Sequence, residues 1–109
     1  MIRILAVTAI LVIAPVVRAA DDNRASKDLC MFPSQMAKAV MTQRQRGGSL
    51  AAQMEKIDSL EMQPVLKDLA RKLAVAAYGV PAHSNENLQD AAITEFQNQT
   101  YLNCLKGTQ

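Results

Sequence analysis

Two cysteines, Cys30 and Cys104, stand far apart in a chain of 109 residues that holds no others. Only one intramolecular pairing is open to them. A disulfide between them would force the beginning and end of the folded region together. Whether it forms depends on the compartment, and the N-terminus speaks to that. Met1-Ile2-Arg3 supplies a positive charge, Ile4 to Ala14 is an apolar run broken only by Thr8, and Pro15 leads into Val17-Arg18-Ala19. A basic start, an apolar middle and small residues at a cut site describe a secretory signal peptide over residues 1–19. Cleavage after Ala19 places Val17 and Ala19 where small or aliphatic side chains are needed, whereas a cut after Ala20 would put Arg18 in one of those positions. The rival reading, a retained anchor, needs ~20 apolar residues, and Arg18 closes the run too early. Export puts both thiols in an oxidising compartment, where a structural disulfide is expected. A redox-active pair is disfavoured, because such cysteines usually lie close in sequence.

Removing Arg3 and Arg18 leaves 10 basic residues against 10 acidic ones, so the remaining chain is neutral with His83 uncharged. A neutral chain without a basic stripe argues against nucleic acid, which demands many phosphate contacts. It equally argues against electrostatic docking on anionic lipid, and no stable membrane anchor is expected once the signal is cut. Half the residues are apolar, so a packed domain is expected rather than general disorder. The sequence holds no Gly-x-Gly-x-x-Gly, no phosphate-cradling loop and no Cys-x-x-Cys. These absences disfavour nucleotide enzymes and zinc modules.

The pattern beyond the signal is helical: Ala is abundant and no stretch alternates with period two. Residues 20–27 are polar and read as a flexible lead-in to a helical domain over 28–105, with 106–109 as a tail. The first helix carries Met36, Ala37, Val40, Met41 and Arg44 on one side. It is expected to start near Asp28 with a distorted first turn, or only at Pro33, and to stop at Gly47-Gly48. Ser49 caps a short second helix with Leu50, Met54 and Ile57 inward. Asp58 and Glu61 have capping-box spacing, while Pro64 suits a first helical turn. A third helix presents Leu66, Leu69, Leu73, Ala76 and Ala77 on one face, pairs Asp68 with Lys72, and ends at Gly79 and Pro81. The last begins at Ser84 or Asn85 and runs to about Leu105, with Leu88, Ala92, Ile93, Phe96 and Tyr101 as apolar contacts. The fold expected is all-α: a small bundle of about four helices, three long and one short, stapled by one disulfide between the first and last helices, which lie antiparallel. A possible groove lies between the first and third helices.

Cys30, Ala37, Val40-Met41, Arg44-Gln45, Gly47 and Ser49-Leu50 resemble the opening of a family of small exported helical proteins of proteobacteria and some of their phages. Ala77-Tyr78, Pro81, Ile93, Glu95-Phe96, Tyr101 and Cys104 fit the same pattern further on. That family usually has one spacer between its Arg-Gln pair and Gly, and here the spacer is Arg46. The resemblance covers nearly all of the chain after the signal. It implies a bacterial exported helical domain and carries over no catalytic residues.

Arg44-Gln45-Arg46-Gly47-Gly48-Ser49 is the most distinctive stretch. Arg44, Gln45, Arg46 and Ser49, with Tyr78, are the candidate binding residues. As an anion or carboxylate clamp the stretch would set two guanidinium forks beside glycine amides and a helix N-terminus. Capping physics already explains every residue of it and is the preferred reading, since cations favour a last turn and Gly ends it. Tyr78 and Tyr101 read as core residues with a polar tip rather than a groove lining. His83 reads as a loop residue rather than a pH sensor or metal ligand. Met31, Met36, Met41, Met54 and Met62 read as gap-fillers rather than a Cu(I) site. Glu55, Asp58 and Glu61 read as a solvated helix end rather than catalytic carboxylates. Asn98-Gln99-Thr100 matches a glycosylation acceptor but falls in a helix.

No catalytic residue, metal or cofactor is assigned. The expectation is an exported, non-enzymatic binding or interaction protein of the cell envelope, periplasmic or secreted. Its partner would be a protein or peptide, or a second copy of itself. Two alternatives remain. One is a stress- or acid-protective periplasmic chaperone, opened when its carboxylates protonate. The other is an inhibitor of an envelope or cell-wall enzyme, acting through the Arg44–Ser49 corner.

Overall fold

The computed structural model describes the backbone of residues 18–107 and the side chains of 27–107. Four helices follow one another: α1 Arg18–Gln45, α2 Leu50–Ser59, α3 Pro64–Tyr78 and α4 Glu86–Gly107. No strand occurs among the described residues. The signal-peptide reading falls almost wholly outside them, as do Thr108 and Gln109 of the expected tail. Only Arg18 and Ala19 of the signal lie in α1, and cleavage after Ala19 would trim them from it.

α1 corrects two expectations. The stretch 20–27 is helical rather than a loose lead-in, and α1 begins neither at Asp28 nor at Pro33. The stretch from Arg18 to Phe32 holds neither Gly nor Pro and includes Ala19, Ala20 and Ala25, strong helix formers. Polarity alone therefore does not end the helix. Pro33 sits in the helix interior. It offers no N–H to the Leu29 carbonyl, a loss that would ordinarily break a helix. Burial holds this one together: Cys30, Pro33, Ser34, Ala37, Val40, Met41 and Gln45 are all buried. Their spacing draws one unbroken stripe across the proline.

The end of α1 is built by glycine. Gly47 has φ of 90°, left-handed backbone that disfavours any side chain. The Gly48 N–H then bonds back to the Gln43 carbonyl at 2.8 Å, a Schellman-type closure. A side chain at Gly48 would bring its Cβ to 3.2 Å from the Gln43 carbonyl oxygen, so the turn is tight there as well, whereas the nearer Gln43 Oε1 can swing aside. Ser49 caps α2 as expected, its Oγ accepting from the Ala52 N–H at 3.1 Å. Ile57 is buried, and Leu50 and Met54 pack partly buried against the core. Between α2 and α3 the capping-box spacing goes unused. Gln63 stands at the N-cap without a side-chain bond, and Pro64 opens α3. The Asp58 carboxylate instead accepts from the Arg71 guanidinium, with Nε at 2.9 Å, and its carbonyl accepts from Lys67 Nζ at 3.0 Å.

α3 buries Ala70, Ala74 and Ala77 completely, while Leu66, Leu69 and Leu73 are only half-buried and Ala76 is exposed. The expected leucine face is thus displaced to the flanks of an alanine seam. The cause is the neighbourhood of α1, against which both α3 and α4 pack: methyl-sized side chains let α3 approach it closely. Asp68 and Lys72 pair at 2.9 Å across one turn. In α4, Asn85 is the cap, its Oδ1 accepting from the Asn87 N–H at 2.8 Å. Ile93 is buried, and Ala92, Phe96 and Tyr101 are half-buried. Leu88, expected inward, is 53% exposed, because α4 lies chiefly on α1 and offers it only a narrow seam.

Cys30 and Cys104 are joined, with Cα atoms 5.6 Å apart. This bond ties the end of α4 to α1 below Pro33, while an ion pair at 3.7 Å between Arg46 and Asp90 joins the end of α1 to the start of α4. The two helices are therefore antiparallel. Tyr78, ending α3, lies beside Arg44, ending α1, so α3 runs parallel to α1. The result is an up-down-up-down bundle with α1 as its hub and α2 leaning mainly on α3. The core is Val40, Met41, Ile57, Ala70, Ala74, Ala77 and Ile93, with Met36, Met54, Met62 and Phe96 among the residues around it. Four of the five methionines read as gap-fillers are thus in or against the core, whereas Met31 is exposed.

Candidate functional site

The Arg44–Ser49 corner meets the connection between α3 and α4. Arg44, in the last turn of α1, lays its guanidinium 5.1 Å from the centre of the Tyr78 ring and donates from Nε to the Val80 carbonyl at 2.9 Å. This combines a cation–π contact with a hydrogen bond. Tyr78 in turn donates its hydroxyl to the Gly48 carbonyl. Gln45 is 3% exposed. Its Nε2 donates to the Pro81 carbonyl at 2.8 Å and lies 3.5 Å from the Met41 sulfur, and its Oε1 accepts from the His83 N–H at 2.9 Å. The His83 carbonyl accepts from Gln89 Nε2 at 2.6 Å. One amide side chain therefore pins the loop between α3 and α4 to the end of α1.

Of the five candidate binding residues, the structure brings Arg44, Gln45 and Tyr78 into one network. Arg46 and Ser49 sit beside it but face elsewhere: Arg46 toward Asp90 on α4, and Ser49 toward the first turn of α2. Several of the groups a carboxylate clamp would use are engaged inside the chain, while the Arg46 guanidinium stays exposed with a single long ion pair to Asp90. The Gly48 amide bonds to Gln43, the Arg44 Nε to Val80, and the capped N–H of α2 to Ser49. The corner is a fastening for the fold. Its other members, Val80, Pro81 and His83, act through backbone atoms, which carry no residue-type signal in a sequence. His83 is indeed a loop residue, but a loop residue held on both sides.

Surface concavities are the other candidates. One, of about 410 Å³, lies between α1 and α2, with Met36, Val40, Ile57 and Leu60 as its apolar part. Another, of about 500 Å³, lies between α3 and α4, where Leu69, Leu73 and Ala76 face Phe96 and Thr100. A third, of about 430 Å³, lies between α1 and α3 at the disulfide end, lined by Leu29, Phe32, Pro33, Leu66, Leu69 and Cys104. The expected groove between the first and third helices is this last one. Leu29 and Val65, at that end, are 64% and 69% exposed. Among the described residues no group of three His, Cys, Asp or Glu side chains is placed to hold a metal, and no helix is long and apolar enough to cross a membrane. Glu55, Asp58 and Glu61 are all exposed.

No family model matches the chain, and neither a curated protein nor a solved structure is significantly similar to it.

Proposed function

We propose that the chain is an exported, non-enzymatic interaction protein of the cell envelope, periplasmic or secreted after cleavage behind Ala19. Its partner is a protein or peptide, bound through helix-lined apolar surface. The observation that carries the interaction part of this reading is the set of open apolar grooves on a bundle whose small core is already closed. Exposed apolar side chains at groove edges are a common mark of interaction surface. The disulfide supports the export part, because such bonds persist in oxidising compartments. The resemblance of the Arg44-Gln45-Arg46-Gly47 region to small exported helical proteins points the same way. In the corner that the inhibitor alternative would use, Arg44 and Gln45 are bonded within the chain and Arg46 stays exposed.

The test has two arms. Cell fractionation with thiol alkylation is expected to find the chain outside the cytosol, shortened at its N-terminus and free of alkylatable thiols. Photo-crosslinkers placed one at a time at exposed positions of the three grooves are expected to trap a partner from at least one. A cytosolic, alkylatable chain that traps nothing from any groove would sink the reading.

A further inference from the structure

The cleft between α1 and α2 differs from the other two in its polar groups. α2 leans on α3 and touches α1 little, so the two helices splay and leave the cleft open. The residues lining it on α1 run from Gln35 to Gln43, a strip about 12 Å long at 1.5 Å per residue. Lys38 and Gln43 stand on the α1 side, and Gln53 and Lys56 on the α2 side, above Met36, Val40 and Ile57. No acidic residue lines the cleft. Neither Lys38 nor Lys56 belongs to an ion pair among the described residues, and both are exposed.

Gln53 lies on the α2 side of the cleft. It is 7% exposed, and its backbone N–H is taken by the Ser49 carbonyl at 3.1 Å. Its side-chain amide has no partner among the described residues. No fully enclosed side-chain nitrogen or oxygen lacks a partner, so this amide reaches the open space of the cleft. A polar group held there, between an apolar floor and two uncompensated cations, is half of a hydrogen-bonding surface.

We propose that the α1/α2 cleft receives a short acidic amphipathic helix of a protein partner. The partner's apolar residues would lie on Met36, Val40 and Ile57, its carboxylates would meet Lys38 and Lys56, and a polar side chain would satisfy the Gln53 amide. This is the helix-in-groove mode, in which anchors at i, i+3 or i+4, and i+7 fill a strip about two turns long. A small amphiphile fits less well: small-molecule sites bury most of their ligand and converge on one point, whereas this cleft is open and its polar groups are spread along both edges. The proposal rests on the interaction reading above and names the partner chemistry for one of its grooves.

The test places a photo-crosslinker in the full-length chain, in its producing cell, at Ala39 in the cleft, at Val65 by the disulfide, or at Ala91 on α4. The captured segment is then identified by mass spectrometry. The expected result is a crosslink at Ala39 to a segment of helical periodicity and net negative charge. The double variant Lys38→Glu with Lys56→Glu, both positions exposed, is expected to reduce that product at least tenfold while the bundle melts unchanged. A crosslink at Val65 with none at Ala39 above the Ala91 level overturns the cleft and leaves the interaction role standing. Capture of a second copy of the chain, of a lipid, or of a segment without acidic character at Ala39 overturns the partner chemistry, as does a yield indifferent to the charge reversal. No crosslink from any of the three positions overturns the cleft and leaves the interaction role to the α3/α4 groove, which these positions do not sample.

Discussion

The side-chain amide of Gln45 reaches two backbone groups that lie 36 and 38 residues further along the chain, the Pro81 carbonyl and the His83 N–H. The His83 N–H belongs to a half-buried residue, so removing the amide leaves that donor unpartnered, and the Pro81 carbonyl, at an exposed residue, loses its donor to solvent. Gln45→Leu, which keeps the volume, is expected to lower stability by about 2–3 kcal/mol, read as a shift in urea midpoint. Gln45→Glu should fail as well, because its second oxygen would face the Pro81 carbonyl instead of donating to it. A Glu variant as stable as the parent would show that the Pro81 bond contributes nothing. None of this was legible in the sequence. The residues Arg44-Gln45-Arg46 were conspicuous, but their partners are main-chain atoms, and a carbonyl looks the same in every residue. What the sequence offered was a basic last turn before two glycines, which capping already explained. Tyr78 illustrates the same limit: its polar tip was foreseeable, its acceptor at Gly48 was not.

Each helix shows a different balance between local signal and tertiary context. The Gly47-Gly48 stop, the Ser49 cap and the opening of α3 at Pro64 were readable, because caps depend on one or two residues. Gly47→Ala is expected to cost about 1 kcal/mol, since φ of 90° would then carry a side chain. Equilibrium unfolding checks this, and an unchanged midpoint would mean that the turn can relax. The alanine seam of α3 was not readable. Periodicity identifies the face but not which of its residues lies deepest, and Leu66, Leu69 and Leu73 outrank alanine on any hydrophobicity scale. The close approach of α1 decides the matter. Ala74 is fully buried in that seam. Ala74→Leu is expected to destabilise by about 1–3 kcal/mol through overpacking, despite adding apolar surface. A gain in melting temperature would mean the seam is looser than drawn. Pro33 misled for the opposite reason: its local rule is strong, but a buried stripe from Cys30 to Gln45 overrides it.

At the scale of the molecule, the disulfide closes a loop with a sequence separation of 74 residues. In the chain-entropy account, closing a loop of that length removes about 4.5 kcal/mol of freedom from the unfolded state. The core it supports is small, with three alanines among its seven buried members. Reduction under native conditions is therefore expected to lower the melting temperature sharply. Circular dichroism with and without a phosphine reductant reads this directly. A reduced protein that melts within a few degrees of the oxidised one would mean that helix packing suffices alone. The all-α class, the pairing and the antiparallel outer helices were all legible, because two cysteines admit one answer.

The covalent tie also decides what a single cut can do to this protein. All three connections between helices lie inside the closed ring. A protease that severs Gly47-Gly48 or the stretch around Pro81 therefore yields two peptides that cannot diffuse apart. Such a nicked species would keep its mass on a non-reducing gel and divide only when thiol is added. A protease that trims an exposed bend would thus mark the molecule without dispersing it.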